Sequence, residues 1–129
     1  MRISRVNADA LLAHAREAAP DECCGYLRLE GDHVAEVVRG ENAHGASRLT
    51  GYELDGRSLL AANELDDAGW GVAIYHSHPR SPAEPSQTDV NLATYPHWLY
   101  VIVSPVGEGS VRAWRIAEGR YEEEQVHVG

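Results

Sequence analysis

The run from Trp70 to His78, WGVAIYHSH, constrains this chain more than any other stretch. It is apolar at odd and even positions alike and rich in β-formers, which suits a central strand covered on both faces. Two histidines close the run, so any chemistry they carry sits at the exit of a buried strand. WLYVIVSP, from Trp98 to Pro105, supplies a second buried strand of the same kind. A chain of 129 residues buries roughly two thirds of its unfolded surface around one core. No internal repeat or linker divides it, and one domain over residues 1–129 is expected.

The remaining elements follow from local signals. A short strand is expected near Arg2 to Arg5. Asn7 or Asp9 then caps a helix with Leu11, Leu12, Ala15 and Ala19 at helical spacing, ended by Pro20. CCGYLRLE, Gly31-Asp32 and HVAEVVRG read as a hairpin, with its turn on the two residues best able to take positive φ. Asp55 is the expected N-cap of a second helix, with Leu59, Leu60, Ala61 and Leu65 on its apolar stripe and Gly71 beyond its end. Ser86 opens a short helix, SQTDVNLAT, and SVRAWRIAEGRYEEEQVHV forms a last hairpin around Glu118-Gly119. Strands and helices mixed in this order predict an α/β fold, a mixed central β-sheet sandwiched by helices.

Composition excludes several functions. The net charge of -9 argues against nucleic acid, which requires a basic face, and the eleven cations, all arginine, are scattered. No run approaches the ~18 apolar residues of a membrane span. The first twenty residues lack the apolar core of a signal peptide, so a cytoplasmic location is expected, with no membrane partner. Cys23 and Cys24 are adjacent, a spacing that suits neither a disulfide nor a zinc knuckle, and reduced thiols are expected.

The chemistry concentrates in YHSHPRSPAEPSQTD, Tyr75 to Asp89. Side chains alternate along an extended chain, so His76 and His78 project to one side and can chelate one ion. Asp89, in the first turn of the helix opened at Ser86, leans back toward the strand end that carries them. Three protein ligands and an open fourth position make a catalytic zinc site. Ser86-x-x-Asp89 is also the pattern of a capping box, and the two readings are compatible, since a cap can hold Ser86 while its hydroxyl faces the metal. Pro79, Pro82 and Pro85 read as a stiff spacer between ligands rather than an exposed docking motif. Hydrolysis needs a base as well, and Glu22, in PDECCGYL, is flanked by apolar residues as a buried carboxylate would be.

P-x-E-x-C-G-x-L at Pro20 to Leu27, together with H-x-H-x7-S-x2-D at His76 to Asp89, resembles the JAMM (MPN+) metallo-isopeptidase family. The likeness extends over Asn42-Ala43, Tyr52 to Asp55, and the LATYP and VIVSP segments. It implies that His76, His78 and Asp89 bind one zinc ion, that Glu22 is the general acid and base, and that Ser86 holds the oxyanion. Cys24 would be a packing residue, and His14, His33, His44, His97 and His127 match nothing in the motif. The small prokaryotic members, which the chain most resembles, act on ubiquitin-like sulfur-carrier proteins, freeing cysteine or another adduct from a C-terminal Gly-Gly. Three other readings compete. A nucleoside deaminase would need a P-C-x-x-C that this chain lacks. A mononuclear iron 2-His-1-carboxylate oxygenase would use the same ligand types with no need of Glu22 or Ser86. A non-catalytic scaffold domain of the same fold would not keep every ligand.

Overall fold

The computed structural model describes residues 1–45, 47–49 and 51–129. Among the described residues eight strands form one mixed sheet, in which β1 is Arg2–Ile3, β2 Cys24–Glu30, β3 His33–Arg39, β4 Gly71–Ser77, β5 Leu99–Ser104, β6 Ser110–Ala117, β7 Arg120–Glu124 and β8 His127–Val128. Three helices accompany them: α1 Arg5–Ala18, α2 Gly56–Asp67 and α3 Gln87–Leu92. The strand order is β7-β6-β5-β4-β2-β3-β1-β8. β4 lies in the middle, antiparallel to β2 and parallel to β5, and every residue of it after Gly71 is buried. The expected α/β fold with a mixed, helix-covered sheet is therefore observed.

Each face of the sheet has its own apolar core. Leu11, Leu12 and Ala15 of α1 pack with Leu27, Ala73, Tyr75, Val101 and Val103 on one side. Ala62 of α2 and Val90 of α3 join Cys24, Ile74, Tyr100, Ile102 and Trp114 on the other. Because side chains alternate in β4, Ala73, Tyr75 and Ser77 face α1, whereas Ile74 and His76 face α2 and α3. Burying each large aliphatic side chain contributes about 1.5–3 kcal/mol, which is why β4 tolerates no polar residue until its end.

The sheet curls. β7 and β8 lie at opposite ends of the hydrogen-bonding order, yet the chain passes from Glu124 directly to His127. Three peptide steps span about 10 Å at most, so the two edges must approach one another. The last element is consequently not the continuous hairpin strand expected through Val128. β7 ends at Glu124, and the chain crosses to pair β8 with β1 at the far edge.

Other local expectations shift for identifiable reasons. Ser4, not Asn7 or Asp9, caps α1, its hydroxyl accepting the Asn7 N–H at 3.1 Å, because β1 stops after only two residues. Asp55 caps α2 as expected, bonded to the Ser58 N–H at 3.1 Å. Leu60, however, points outward and is 62% exposed, while the small Ala62 makes the close contact with the sheet. The glycine that ends α2 is Gly69, at φ 94°, and Gly71 already belongs to β4.

Gly25 shows why one position admits no side chain. It pairs with Tyr75 across β2 and β4, and a Cβ there would collide with the Tyr75 ring and the Val38 carbonyl. The tyrosine lies over the glycine and reaches α1, where its hydroxyl bonds His14 Nδ1 at 2.7 Å. Gly25→Ala is expected to destabilise the protein by about 1–3 kcal/mol through overpacking, read as a lower urea midpoint at unchanged m-value.

Candidate active site

The register of two strands assembles the first half of the site. Cys24 pairs with His76 in the antiparallel β2–β4 ladder, and the pairing continues past the strand end, with the Ser77 N–H bonded to the Cys23 carbonyl at 3.0 Å. One further step sets Glu22 opposite His78, on the face that carries His76. A Glu22 carboxylate oxygen and ring nitrogens of both histidines lie within 4.8 Å of one another.

The second half arrives on α3. Asp89 Oδ1 lies 3.1 Å from His76 Nε2 and Asp89 Oδ2 lies 3.0 Å from His78 Nε2. The two Nε2 atoms are 3.2 Å apart. All four side chains, Glu22, His76, His78 and Asp89, are buried.

The loop between β4 and α3 is not a loose spacer. Its successive carbonyls are each taken: Ser81 by the Ser104 hydroxyl at 2.7 Å, Pro82 by His78 Nδ1 at 2.8 Å, and Ala83 by the Trp114 indole at 3.0 Å. The middle bond decides the chemistry of His78. A carbonyl only accepts, so Nδ1 carries the hydrogen and, in the neutral ring, Nε2 keeps its lone pair facing Asp89 and His76. On the other side of the site, Tyr52 stacks on His76 with ring centroids 4.1 Å apart and planes 13° from parallel. Neither the carbonyl ladder nor the stacked tyrosine is announced by the motif, and Ser104 and Trp114 read in the sequence only as strand residues.

Burial and charge tune these groups in opposite directions. Burial lowers the pKa of His76 and keeps its ring neutral. Burial also opposes charge on His78, but bonds to Asp89 and Pro82 outweigh it and raise its pKa. Asp89 is desolvated too, yet the two adjoining imidazoles and the bond from the Ser86 N–H hold its carboxyl well below the usual range. Glu22 goes the other way: desolvation pushes it up to about 7, against the nearby His78. Its Oε1, like His76 Nδ1, is buried with no hydrogen-bond partner among the described residues.

The donor set fits a tetrahedral cation. Ligand atoms on bonds of about 2.0–2.1 Å lie about 3.3 Å apart, close to the 3.0–3.2 Å spacing of the two imidazole nitrogens and the Asp89 oxygens. Two carboxylates compete for the third position. Asp89 is in direct contact with both rings, whereas the Glu22 carboxylate has an oxygen that nothing holds. Asp89 thus makes the direct contacts to both rings, while Glu22 lies near enough to share the site and keeps a free oxygen.

The structure realises the capping box at Ser86. The hydroxyl accepts the Asp89 N–H at 3.1 Å, and the Asp89 carboxylate accepts the Ser86 N–H at 2.9 Å. Accepting that bond leaves the hydroxyl hydrogen free for another acceptor. Cys24 is buried among apolar residues and burial pushes its thiol up to about 12, as suits packing rather than nucleophilic chemistry.

Fold and site together define a hydrolase of the JAMM type. The sequence model of prokaryotic homologues of the JAB domain matches residues 4–117, and the chain belongs to that family. It is 41% identical over 124 residues to the CysO-cysteine peptidase of Mycobacterium tuberculosis, covering 93% of this chain and 85% of that protein. It is also 41% identical over 115 residues to the desampylase of Haloferax volcanii, covering 82% of this chain and 81% of that one. The solution structure of DSY2949 from Desulfitobacterium hafniense superposes with a TM-score of 0.82 at 30% identity, over 99% of this chain and 92% of its own.

Asp89→Asn separates the two tasks of that side chain. The amide oxygen still accepts the Ser86 N–H, so stability should fall by less than about 1 kcal/mol. Losing the charge between two imidazoles should weaken divalent-metal binding at least ~10-fold in calorimetric titration.

Proposed function

We propose that this chain is a zinc-dependent peptidase or isopeptidase that hydrolyses the amide bond after the C-terminal Gly-Gly of a ubiquitin-like sulfur-carrier protein, releasing cysteine or another adduct. The observation that carries the reading is the tetrahedral spacing of His76, His78 and Asp89 beside a buried, unpartnered Glu22 carboxylate. An iron oxygenase would leave Glu22 without a task, and a scaffold would not bury four polar groups around one point. The named relatives support the substrate class. Both are 41% identical to this chain. The two free, buried cysteines suit a reducing compartment, and we place the protein in the cytoplasm. No helix among the described residues is long and apolar enough to cross a membrane.

In this mechanism His76, His78 and Asp89 would hold a zinc ion, which would supply Lewis acidity toward the substrate carbonyl and the attacking water. Glu22 takes the proton of the attacking water on its free oxygen. It then delivers that proton to the amine nitrogen as the carbon–nitrogen bond breaks, and the new glycine carboxyl group gives up its remaining proton to solvent or to the freed amine. A pKa of about 7 suits both halves of the task, because the group accepts and returns a proton near neutral pH. Ser86 donates its free hydroxyl hydrogen to the oxyanion. The substrate tail would lie in the cleft of about 440 Å³ walled by Leu54, Leu59, Leu92, Tyr95 and Tyr100, which meets the site only through Tyr52, the residue stacked on His76.

The direct test is to incubate zinc-loaded protein with ubiquitin-like carriers bearing C-terminal extensions and to weigh the products. A carrier ending in Gly-Gly plus the freed adduct is expected, and no cleavage of any carrier would refute the reading. Glu22→Gln should keep zinc and fold while losing ~10²- to 10⁴-fold in turnover. The base acts as carboxylate, so kcat/KM of the wild type should rise with pH up to about 7 or lower, since a bound cation offsets part of the burial effect. The glutamine variant should lack that limb.

Ser86 separates capping from catalysis. As a cap alone, Ser86→Ala should cost ~1 kcal/mol of stability. As an oxyanion donor as well, it should lower kcat by ~10²- to 10³-fold at unchanged zinc content. Ser86→Thr, which keeps a hydroxyl, should recover part of the rate. An alanine variant with full rate would remove Ser86 from the mechanism.

A further inference from the structure

Asn42 opens the loop between β3 and α2, and its carboxamide uses every hydrogen-bonding position it has. Nδ2 donates to the carbonyls of Glu22 and Gly51, both at 2.9 Å. Oδ1 accepts the backbone N–H groups of His44 at 3.0 Å and Glu53 at 3.1 Å. Two donors and two acceptors are the full complement of a primary amide. Aspartate has no donor to offer, and glutamine sets the amide one methylene too far, so the four bonds specify asparagine.

Glu22 has need of such an anchor. It lies in the connection between α1 and β2, one residue beyond the Cys23–Ser77 bonds that extend the β2–β4 pairing, and neither of its own backbone groups bonds to β4. Its N–H donates to the Arg48 carbonyl at 2.6 Å, and its carbonyl accepts from Asn42. Both of its backbone groups are therefore held by the segment between Asn42 and Leu54. The other bond from Asn42 Nδ2 ends on Gly51, next to Tyr52, whose ring covers His76. One amide thus ties the backbone of Glu22 to that of Gly51, the residue before the tyrosine that packs on His76.

We infer that Asn42 is a positioning residue for Glu22, fixing that carboxylate against His76 and His78 by holding the Glu22 carbonyl and closing the loop across it. None of the Asn42 side-chain hydrogen bonds goes to His76, His78 or Asp89. The inference rests on the reading of Glu22 as the base and adds what sets the position of that base. A displacement of about 1 Å in such a group costs on the order of 10²-fold in rate, so an anchor outside the site acts directly on turnover. The loop does not depend on this amide alone. Backbone bonds from Ala43 to Glu53 at 2.8 Å and from Asp55 to Glu41 at 3.1 Å flank it. Substitution should loosen the loop without unfolding the protein.

Two variants and two readouts test this. Asn42→Asp keeps the shape and both accepted bonds but turns a carboxylate oxygen toward the carbonyls of Glu22 and Gly51. Asn42→Ser removes bonds without adding charge. The first readout needs no substrate: in zinc-loaded protein, amide hydrogen exchange over residues 20–24 and 51–53 should quicken at least ~10-fold in both variants, with residues 71–77 unchanged. The second uses the carrier substrate. Here kcat should fall ~10- to 100-fold at unchanged KM and zinc content, yet in the Glu22→Gln background the same change should cost less than ~3-fold. Exchange at the wild-type rate over residues 20–24 overturns the inference. So does an equal loss of kcat in both backgrounds, which would mean that Asn42 does not act through Glu22. If both variants lose their cooperative melting transition, Asn42 is a determinant of the fold and the specific role fails. If the wild type cleaves no carrier, the proposed substrate is refuted, while the exchange readout still decides whether Asn42 holds Glu22.

Discussion

The pairing of β2 with β4 is the constraint on which the rest of this structure depends. β4 is covered on both faces and flanked on both sides, so it cannot shift without exposing apolar side chains. Its register against β2 sets Gly25 opposite Tyr75 and Cys24 opposite His76. The first match lets the tyrosine lie flat over a residue with no side chain and reach α1. The second, continued beyond the strand, delivers Glu22 to His78. A slip of one residue would turn every side chain of β4 to the other face, carrying the histidines toward α1 and away from Asp89.

Such a site is costly to build, because two carboxylates and two imidazoles are removed from water together. Most of the cost is offset locally. Asp89 accepts from Ser86 and lies against both rings, and His78 is satisfied by Pro82. What stays unsatisfied is informative: Glu22 Oε1 has no partner among the described residues, and burial raises its pKa toward neutrality. A protein built for stability alone would pair that oxygen. Left free beside two imidazoles and a second carboxylate, it is the group on which the proposed acid–base role rests.

The architecture was legible where a local signal coincided with the tertiary demand. Two long apolar runs gave the central strands, Gly31-Asp32 gave the hairpin turn, and Asp55 and Ser86 gave two helix starts. It was illegible where the decision was made by distant packing. Leu60 matches the helical period as well as Leu59 does, but only the approach of α2 to the sheet settles that Ala62 lies beneath and Leu60 outside. The crossing after Glu124 leaves no mark on a sequence that continues in β-forming residues, because it follows from the curl of the whole sheet.

By itself the sequence determined the chemical inventory: two histidines in alternation at the end of a buried strand, a carboxylate in the first turn of the next helix, and a glutamate ahead of Cys24 and Gly25. These are short-range patterns, fixed by the geometry of an extended chain and of one helical turn, and they sufficed to suggest the family. Tertiary structure decided which carboxylate touches the imidazoles and which is left free. It chose the ring nitrogen of His78 that bears the hydrogen, and it laid Tyr52 over His76. It also gathered the Ser81, Pro82 and Ala83 carbonyls under three donors and hung Glu22 on Asn42. Each of those outcomes is a contact between segments far apart in the chain. No periodicity or cap signal encodes such contacts, because their partners are chosen by the path of the backbone through the folded sheet.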